Sequence, residues 1–208
     1  MSDEDSLEIK TILVGMSGTG KTNIINAMIN KPFNAKEIST LTSSFVSKYV
    51  EIKQKKYRVE LWDTAGQERY KSLTKIFIKD SKIVIFVYDI TRKNSFEEVD
   101  YWVKTVKENL DGDDYIFGLI GNKKDLFMNE EVDEETGRGK AEEIGALFKL
   151  TSAKNETNAI NQFIKELVEE YLRKNNGYVK KDDSRGQTID YNSMDLSTGK
   201  KKTRFRGC

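Results

Sequence analysis

Apolar and polar positions along residues 9–173 fall into two alternating patterns. Short apolar runs at 9–14, 45–52, 57–62, 83–88, 116–121 and 148–150 predict strands. Between most of them lie stretches with apolar residues three and four apart, predicting helices over 21–29, 95–109, 134–147 and 159–173. Phe96, Val99, Val103, Val106 and Leu110 form one such stripe, and Ile160, Phe163, Ile164, Leu167, Val168 and Tyr171 another. Both are packing faces and carry no chemistry. The run Ile83-Val84-Ile85-Phe86-Val87 is apolar on both faces, as a central parallel strand covered on both sides requires. Lys53-Gln54-Lys55-Lys56 separates two strands and predicts a hairpin turn in water, hence one antiparallel strand. The expected fold is α/β: a mostly parallel six-stranded sheet with one antiparallel strand, helices on both faces, and ligands at the carboxyl ends of the strands.

After residue 174 the pattern stops. The expected organisation is one domain over 1–174 and a flexible tail over 175–208, rich in Asn, Lys, Asp and Ser. The 208 residues hold 35 basic and 34 acidic side chains, so the whole molecule is no polyanion binder and nucleic acid is not an expected partner. The excess is local, because Lys200, Lys201, Lys202, Arg204 and Arg206 crowd the end of the tail. A single cysteine, Cys208, excludes an internal disulfide and suits a reducing compartment. The absence of histidine excludes His-ligated zinc and Ser-His chemistry. No apolar stretch nears the roughly 20 residues of a membrane span, and the polar, acidic start is unlike a secretory signal.

The chemistry begins at Gly15-Met16-Ser17-Gly18-Thr19-Gly20-Lys21-Thr22, which reads G-x-x-x-x-G-K-[ST] between a strand and a helix opened by Asn23. Glycines there let successive N–H groups turn inward onto phosphate oxygens, and the new helix adds the positive end of its dipole. Lys21 is expected at the β- and γ-phosphates, and the Thr22 hydroxyl on Mg²⁺. A phosphate loop alone leaves kinases, ATPases and GTPases open. Asn122-Lys123-Lys124-Asp125 follows a later strand on the same sheet edge. Its Asp125 carboxylate can accept two parallel hydrogen bonds from guanine, a donor pair that adenine lacks. Asn122 is expected to tie neighbouring segments to the base, Lys123 to lay its stem along it, and a backbone N–H of Ser152-Ala153-Lys154 to meet guanine O6. In Asp63-Thr64-Ala65-Gly66-Gln67, Asp63 is placed to hold Mg²⁺ through water, Gly66 to approach the γ-phosphate, and Gln67 to orient an attacking water.

In this order and spacing the motifs resemble the Ras superfamily of small GTPases, over roughly residues 8–174, and within it the Rab branch. The segments 58–62, 69–74 and 88–96 are also similar to Rab sequences. The resemblance implies a P-loop NTPase G domain that binds GTP and GDP, hydrolyses GTP, and acts as a monomeric switch in vesicle traffic. It places switch I at 39–45, closest to an endosomal subgroup, with Thr40 closing over Mg²⁺ and the γ-phosphate. Phe33 matches an aromatic that packs edge-on against guanine. Phe45, Trp62 and Phe77 match a triad read by effectors. No arginine in these motifs completes the transition-state charge, so slow hydrolysis accelerated by an activating protein is expected. Exchange factors, effectors and a GDP-dissociation inhibitor are the other implied partners. The alternative reading is a GTP-dependent effector-binding module with negligible unassisted hydrolysis. An ATP-using kinase is the third, and Asp125 opposes it.

Thr42 replaces the glycine usual in switch I, and Phe77-Ile78-Lys79-Asp80-Ser81 stands where Rabs carry Y-Y-R-G-A. Neither change touches a phosphate or base contact. Most Rabs end in two cysteines; here Cys208 stands alone, after the basic run. A prenyl group on Cys208 together with that basic run would supply the two signals stable membrane anchoring needs. The expected location is cytoplasmic, peripheral on the cytosolic face of endomembranes.

Overall fold

The computed structural model describes residues 7–35, 44–63, 77–110 and 112–176. Six strands run in the order β2-β3-β1-β4-β5-β6. They are β1 (Glu8–Val14), β2 (Ser44–Ile52), β3 (Lys55–Asp63), β4 (Ile83–Asp89), β5 (Ile116–Asn122) and β6 (Ala146–Leu150). Only the β2–β3 pair is antiparallel. The helices are α1 (Lys21–Met28), α2 (Lys93–Lys107), α3 (Glu134–Ile144) and α4 (Thr157–Asn176).

Burial explains the layers. β4 and β5 are buried along their whole length, as strands covered on both faces must be. One core joins Ile9, Leu13, Ile83, Ile85 and Val87 of the sheet to α1 and α4. The other joins Ile12, Val14, Val84 and Phe86 to α2 and α3. Each fully buried side chain of the α4 stripe (Ile160, Phe163, Ile164, Leu167) contributes on the order of 1.5–3 kcal/mol. The helices thus clamp the sheet from both sides and leave the carboxyl ends of β1, β3, β4 and β5 converging on one edge.

The structure departs from the sequence expectation at several boundaries. The third helix, expected to reach Leu147, stops at Ile144, because Gly145 takes a left-handed φ of 71° and caps it. Leu147 therefore belongs to β6, opposite Gly118. At the other end of that helix, Asp133 accepts the Thr136 N–H at 2.7 Å as N-cap. The hairpin turn is two residues rather than four: Lys53 and Gln54 sit at φ 48° and 64°, so Lys55 and Lys56 already pair in β3. This is the twist-matched two-residue hairpin, built here without the Asn or Gly that usually signals it. The last helix continues to Asn176, two residues past the expected domain boundary.

Two interior arrangements hold the layers in register. The Lys48 ammonium of β2 donates to Met28 O and to Asn161 Oδ1, both at 2.6 Å, joining the edge hairpin to α1 and α4. Burial pulls that lysine below its ordinary pKa. Tyr88, at the end of β4, is fully buried with its hydroxyl in a slot between Gly121 and Gly137. A Cβ built on Gly137 would meet that oxygen at 2.3 Å, and one on Gly121 at 2.6 Å. Among the described residues the hydroxyl has no hydrogen-bond partner, and burial drives its pKa well above the usual range.

Candidate functional site

The loop between β1 and α1 is shaped by its glycines. Gly15, Gly18 and Gly20 have φ of 148°, 77° and 94°, the region side chains avoid. Gly15 also passes so close to β4 that a Cβ would lie 2.2 Å from Val87 O. Thr19 is buried and donates to Met16 O at 3.0 Å. Lys21 folds back over the loop and donates to Gly15 O at 2.8 Å and Met16 O at 3.0 Å. Burial lowers its pKa to about 8, with the Asp63 carboxylate opposing that shift. A lysine buried this deeply, at a glycine turn that opens a helix, is chemically suited to meet an anion.

Beside it, the Thr22 hydroxyl donates to Asp63 Oδ2 at 2.7 Å, bridging the start of α1 and the end of β3. The pair supplies two hard oxygen donors of different charge. That set fits Mg²⁺, which takes one or two protein ligands and completes its shell with water and phosphate.

The base-side residues are brought to the same edge. Asn122, almost fully buried, donates to Thr19 O at 2.8 Å and accepts the Ala153 N–H at 3.1 Å. One amide therefore ties the phosphate loop, the end of β5 and the loop after β6 together. Asp125 lies on a short 3-10 turn over Lys124–Asn129 that the sequence pattern did not indicate. Its Oδ1 accepts the Ser152 hydroxyl at 2.7 Å, and its Oδ2 lies 3.9 Å from the Lys154 ammonium. Ser152 Oγ in turn accepts the Lys154 N–H at 3.2 Å, which aims the carboxylate and rigidifies the 152–154 loop. Glu156 receives the Ser152 N–H at 3.1 Å and pairs with Lys124 at 2.9 Å. Although burial raises its pKa, the Lys124 bond prevails and keeps it ionised. Lys123 sits at φ 69° and its ammonium reaches Asp89 Oδ2 at 2.7 Å.

Asn23 exchanges two hydrogen bonds with the backbone of Asn34, both at 3.1 Å, so the segment carrying Phe33 is fastened to the start of α1. Phe33 is 40% exposed, more than a core aromatic would be. On the far face of the hairpin Phe45 stacks on Trp62 at 4.9 Å between ring centroids, and Trp62 meets Phe77 at 5.5 Å. The three aromatics singled out in the sequence thus form one cluster, with Phe45 half exposed. Thr40, Gly66, Gln67 and Cys208 lie outside the described residues.

Sequence reasoning missed two residues. Arg92 donates through Nη2 to Ser17 O at 3.0 Å, and Asp89 holds that arginine through Nε at 3.0 Å. Both fall in the 88–96 segment noted for its resemblance, yet nothing in its spacing says that it folds back onto the phosphate loop.

A sequence profile of the Ras family matches residues 10–173. The chain is 38% identical to the Ras-related protein Rab-13 of Canis lupus familiaris over 169 residues, 81% of this chain and 82% of that protein. It is 36% identical to the Ras-related protein YPT3 of Nicotiana plumbaginifolia, covering 81% and 77%. The GTP-binding protein ypt3 of Schizosaccharomyces pombe is 32% identical and matches 99% of this chain and 98% of its own. With a family profile over residues 10–173 and an extended set of Rab-named relatives, the chain belongs to the Ras family, as a Rab-like small GTPase that hydrolyses GTP in vesicle trafficking.

Proposed function

We propose that the residues gathered at this edge divide the work of a Mg²⁺-dependent switch, and that the tail over 175–208 carries it to a membrane surface. The observation that carries the proposal is the 2.7 Å contact between Thr22 and Asp63, next to a lysine already buried in the phosphate loop. Thr22 and Thr40 would hold Mg²⁺ directly, and Asp63 would do so through water. The ion, when bound, offsets negative charge on the β- and γ-phosphates. The rest falls to the chain. The loop from Gly15 to Asn23 cradles the phosphates, Asn122 and Asp125 read guanine, and the 152–154 loop covers its O6 edge. Phe33 and the Lys123 stem line its faces. Among the backbone N–H groups of that last loop, Ala153 donates to Asn122 and Lys154 to Ser152. Meeting guanine O6 therefore requires one of them to turn.

Lys21 leaves the Gly15 and Met16 carbonyls for the phosphates, and the negative charge it meets there restores its proton affinity. Gln67 orients water for in-line attack on the γ-phosphate. Thr40 and Gly66 close over that phosphate and open when it leaves, and Phe45, Trp62 and Phe77 report the difference to effectors. Adding a chelator to GDP-loaded protein is expected to speed nucleotide release about tenfold or more, since the positive charge that Thr22 and Asp63 would hold beside the phosphates is removed. An unchanged release rate would remove Thr22 and Asp63 from any metal role. Gln67→Leu is expected to keep GTP affinity near wild type and to slow single-turnover hydrolysis by about tenfold or more. Hydrolysis at the wild-type rate would defeat the role given to Gln67.

For the tail, a prenyl chain on Cys208 combines with Lys200, Lys201, Lys202, Arg204 and Arg206. A single lipid chain gives only marginal, reversible binding, and the basic run adds attraction to anionic lipid. Among the described residues no helix is long and apolar enough to cross a membrane, so this anchor is the proposed means of attachment. The assignment places the protein on the cytosolic face of endomembranes, the endosomal ones by its switch I. Intact mass of the protein from its own cells should exceed the sequence mass by one prenyl group. An unmodified Cys208 removes the anchor.

A further inference from the structure

Asp89 has no part in the motifs that identify the site, yet its carboxylate makes four polar contacts beside it. It closes β4 and is 1% exposed. Its Oδ1 accepts the Thr91 N–H at 3.0 Å and the Thr91 hydroxyl at 2.7 Å. Its Oδ2 accepts Arg92 Nε at 3.0 Å and pairs with the Lys123 ammonium at 2.7 Å. The local backbone is fixed as well, because Ser95 Oγ accepts the Asp89 N–H and donates to Arg92 O at 2.7 Å. Burial alone would raise the carboxyl pKa, but the Lys123 and Thr91 bonds outweigh it and hold the group ionised.

The two cations on Asp89 lead in opposite directions. Lys123 belongs to the loop that carries Asn122 and Asp125. Arg92 uses its second nitrogen to reach Ser17 O in the phosphate loop, at 3.0 Å. That carbonyl matters through peptide geometry. In a trans amide the C=O and the following N–H point in opposite directions. Drawing Ser17 O outward onto Arg92 therefore turns the Gly18 N–H inward, toward the phosphates. Gly18 at φ 77° has no side chain to stabilise that orientation by itself.

We propose that Asp89 is a positioning residue for nucleotide retention, which braces the base-side loop at Lys123 against the phosphate loop at Ser17 through Arg92. The inference rests on the reading of the nucleotide site given above. Arginine is required in the middle, because Nε and Nη2 engage two acceptors at once. A lysine has one ammonium on a flexible stem and cannot hold the same fork.

The test follows release of a fluorescent GDP analogue from the full chain, in excess unlabelled GDP and Mg²⁺. Arg92→Met is expected to speed release about tenfold, the loss of one charge-assisted brace. Arg92→Lys should not restore it. In an Asp89→Asn background, Arg92→Met should add less than about twofold, because the brace is already broken. Hydrolysis of preloaded GTP in a single turnover should stay within about twofold of wild type, a split that general loosening would not produce. The proposal is overturned by release within about twofold of wild type in Arg92→Met, by effects that multiply in the double variant, or by a parallel fall in hydrolysis.

Should Asp89→Asn fail to fold, Arg92→Met and Lys123→Met decide the matter, since both side chains are about one-third exposed. A combined effect smaller than the product of the two supports the brace, and a full product overturns it. A wild-type chain that retains neither GDP nor GTP would instead strike the reading of the nucleotide site itself.

Discussion

Asp125→Ala is expected to weaken GDP binding by about 10²–10⁴-fold and to erase the preference over ADP. Two hydrogen bonds from guanine to one carboxylate are each worth roughly 1.5–3 kcal/mol, and each 1.4 kcal/mol is a tenfold change in affinity. The carboxylate is held ready for them. Ser152 Oγ bonds one of its oxygens, and the other faces the Lys154 ammonium at 3.9 Å. Only 14% of the side chain is exposed, so water replaces the lost partner poorly. Ser152→Ala removes the aiming contact but not the acceptor, and should cost far less, about tenfold. Calorimetry of GDP and ADP on the three proteins separates the two contributions. A loss of less than tenfold in Asp125→Ala would mean that guanine is read elsewhere.

Gly15→Ala should be the most damaging methyl among the described glycines. The new carbon would lie 2.2 Å from Val87 O and 3.2 Å from the carbonyl carbon behind it. Backbone of the central strand cannot rotate away as a side chain can, and a φ of 148° disfavours any Cβ in its own right. Strain of this kind costs about 1–3 kcal/mol before the clash is counted, against a total stability of about 5–15 kcal/mol. A fall in melting temperature of about 10 °C or more is expected, from roughly 2–4 °C per kcal/mol at this chain length. Relief of the clash moves the backbone at the head of the phosphate loop, so GDP binding should fall as well. Gly145→Ala is the control. It shares the left-handed backbone, at φ 71°, but no atom lies within 4 Å of the new carbon. Its cost should stay near 1 kcal/mol. Equal melting temperatures for the two variants would refute the argument from close approach.

The site was legible where chemistry requires a fixed residue type at a fixed spacing. Gly15, Gly20, Lys21 and Asp125 announce themselves because phosphate and guanine leave few alternatives. The central strand was legible because double-sided burial writes an unbroken apolar run. Boundaries were harder. In the run Ile144-Gly145-Ala146-Leu147 the helical spacing continues to Leu147, and the one stop signal, Gly145, is weakened because the same helix already contains Gly137 and Gly139. Lys53 and Gln54 make a hairpin turn that neither favours by propensity, because the strands on each side dictate the twist. Arg92 and Asp89 were invisible for a different reason. Their role is a long-range contact, set by where β4 ends relative to the loop after β1, and a local pattern carries no trace of it.

The buried phenol at the end of β4 links three distant positions into a single volume. Neither Gly121 nor Gly137 has room for a methyl while that oxygen stands between them, although one sits in a strand and the other in α3. Shortening residue 88 must come before growth at position 137, and Phe148, 2.9 Å from the same point, must yield as well. Drift at this corner is therefore ordered: a route that enlarges a glycine first passes through a strained, destabilised variant, whereas one that trims the tyrosine first meets less strain.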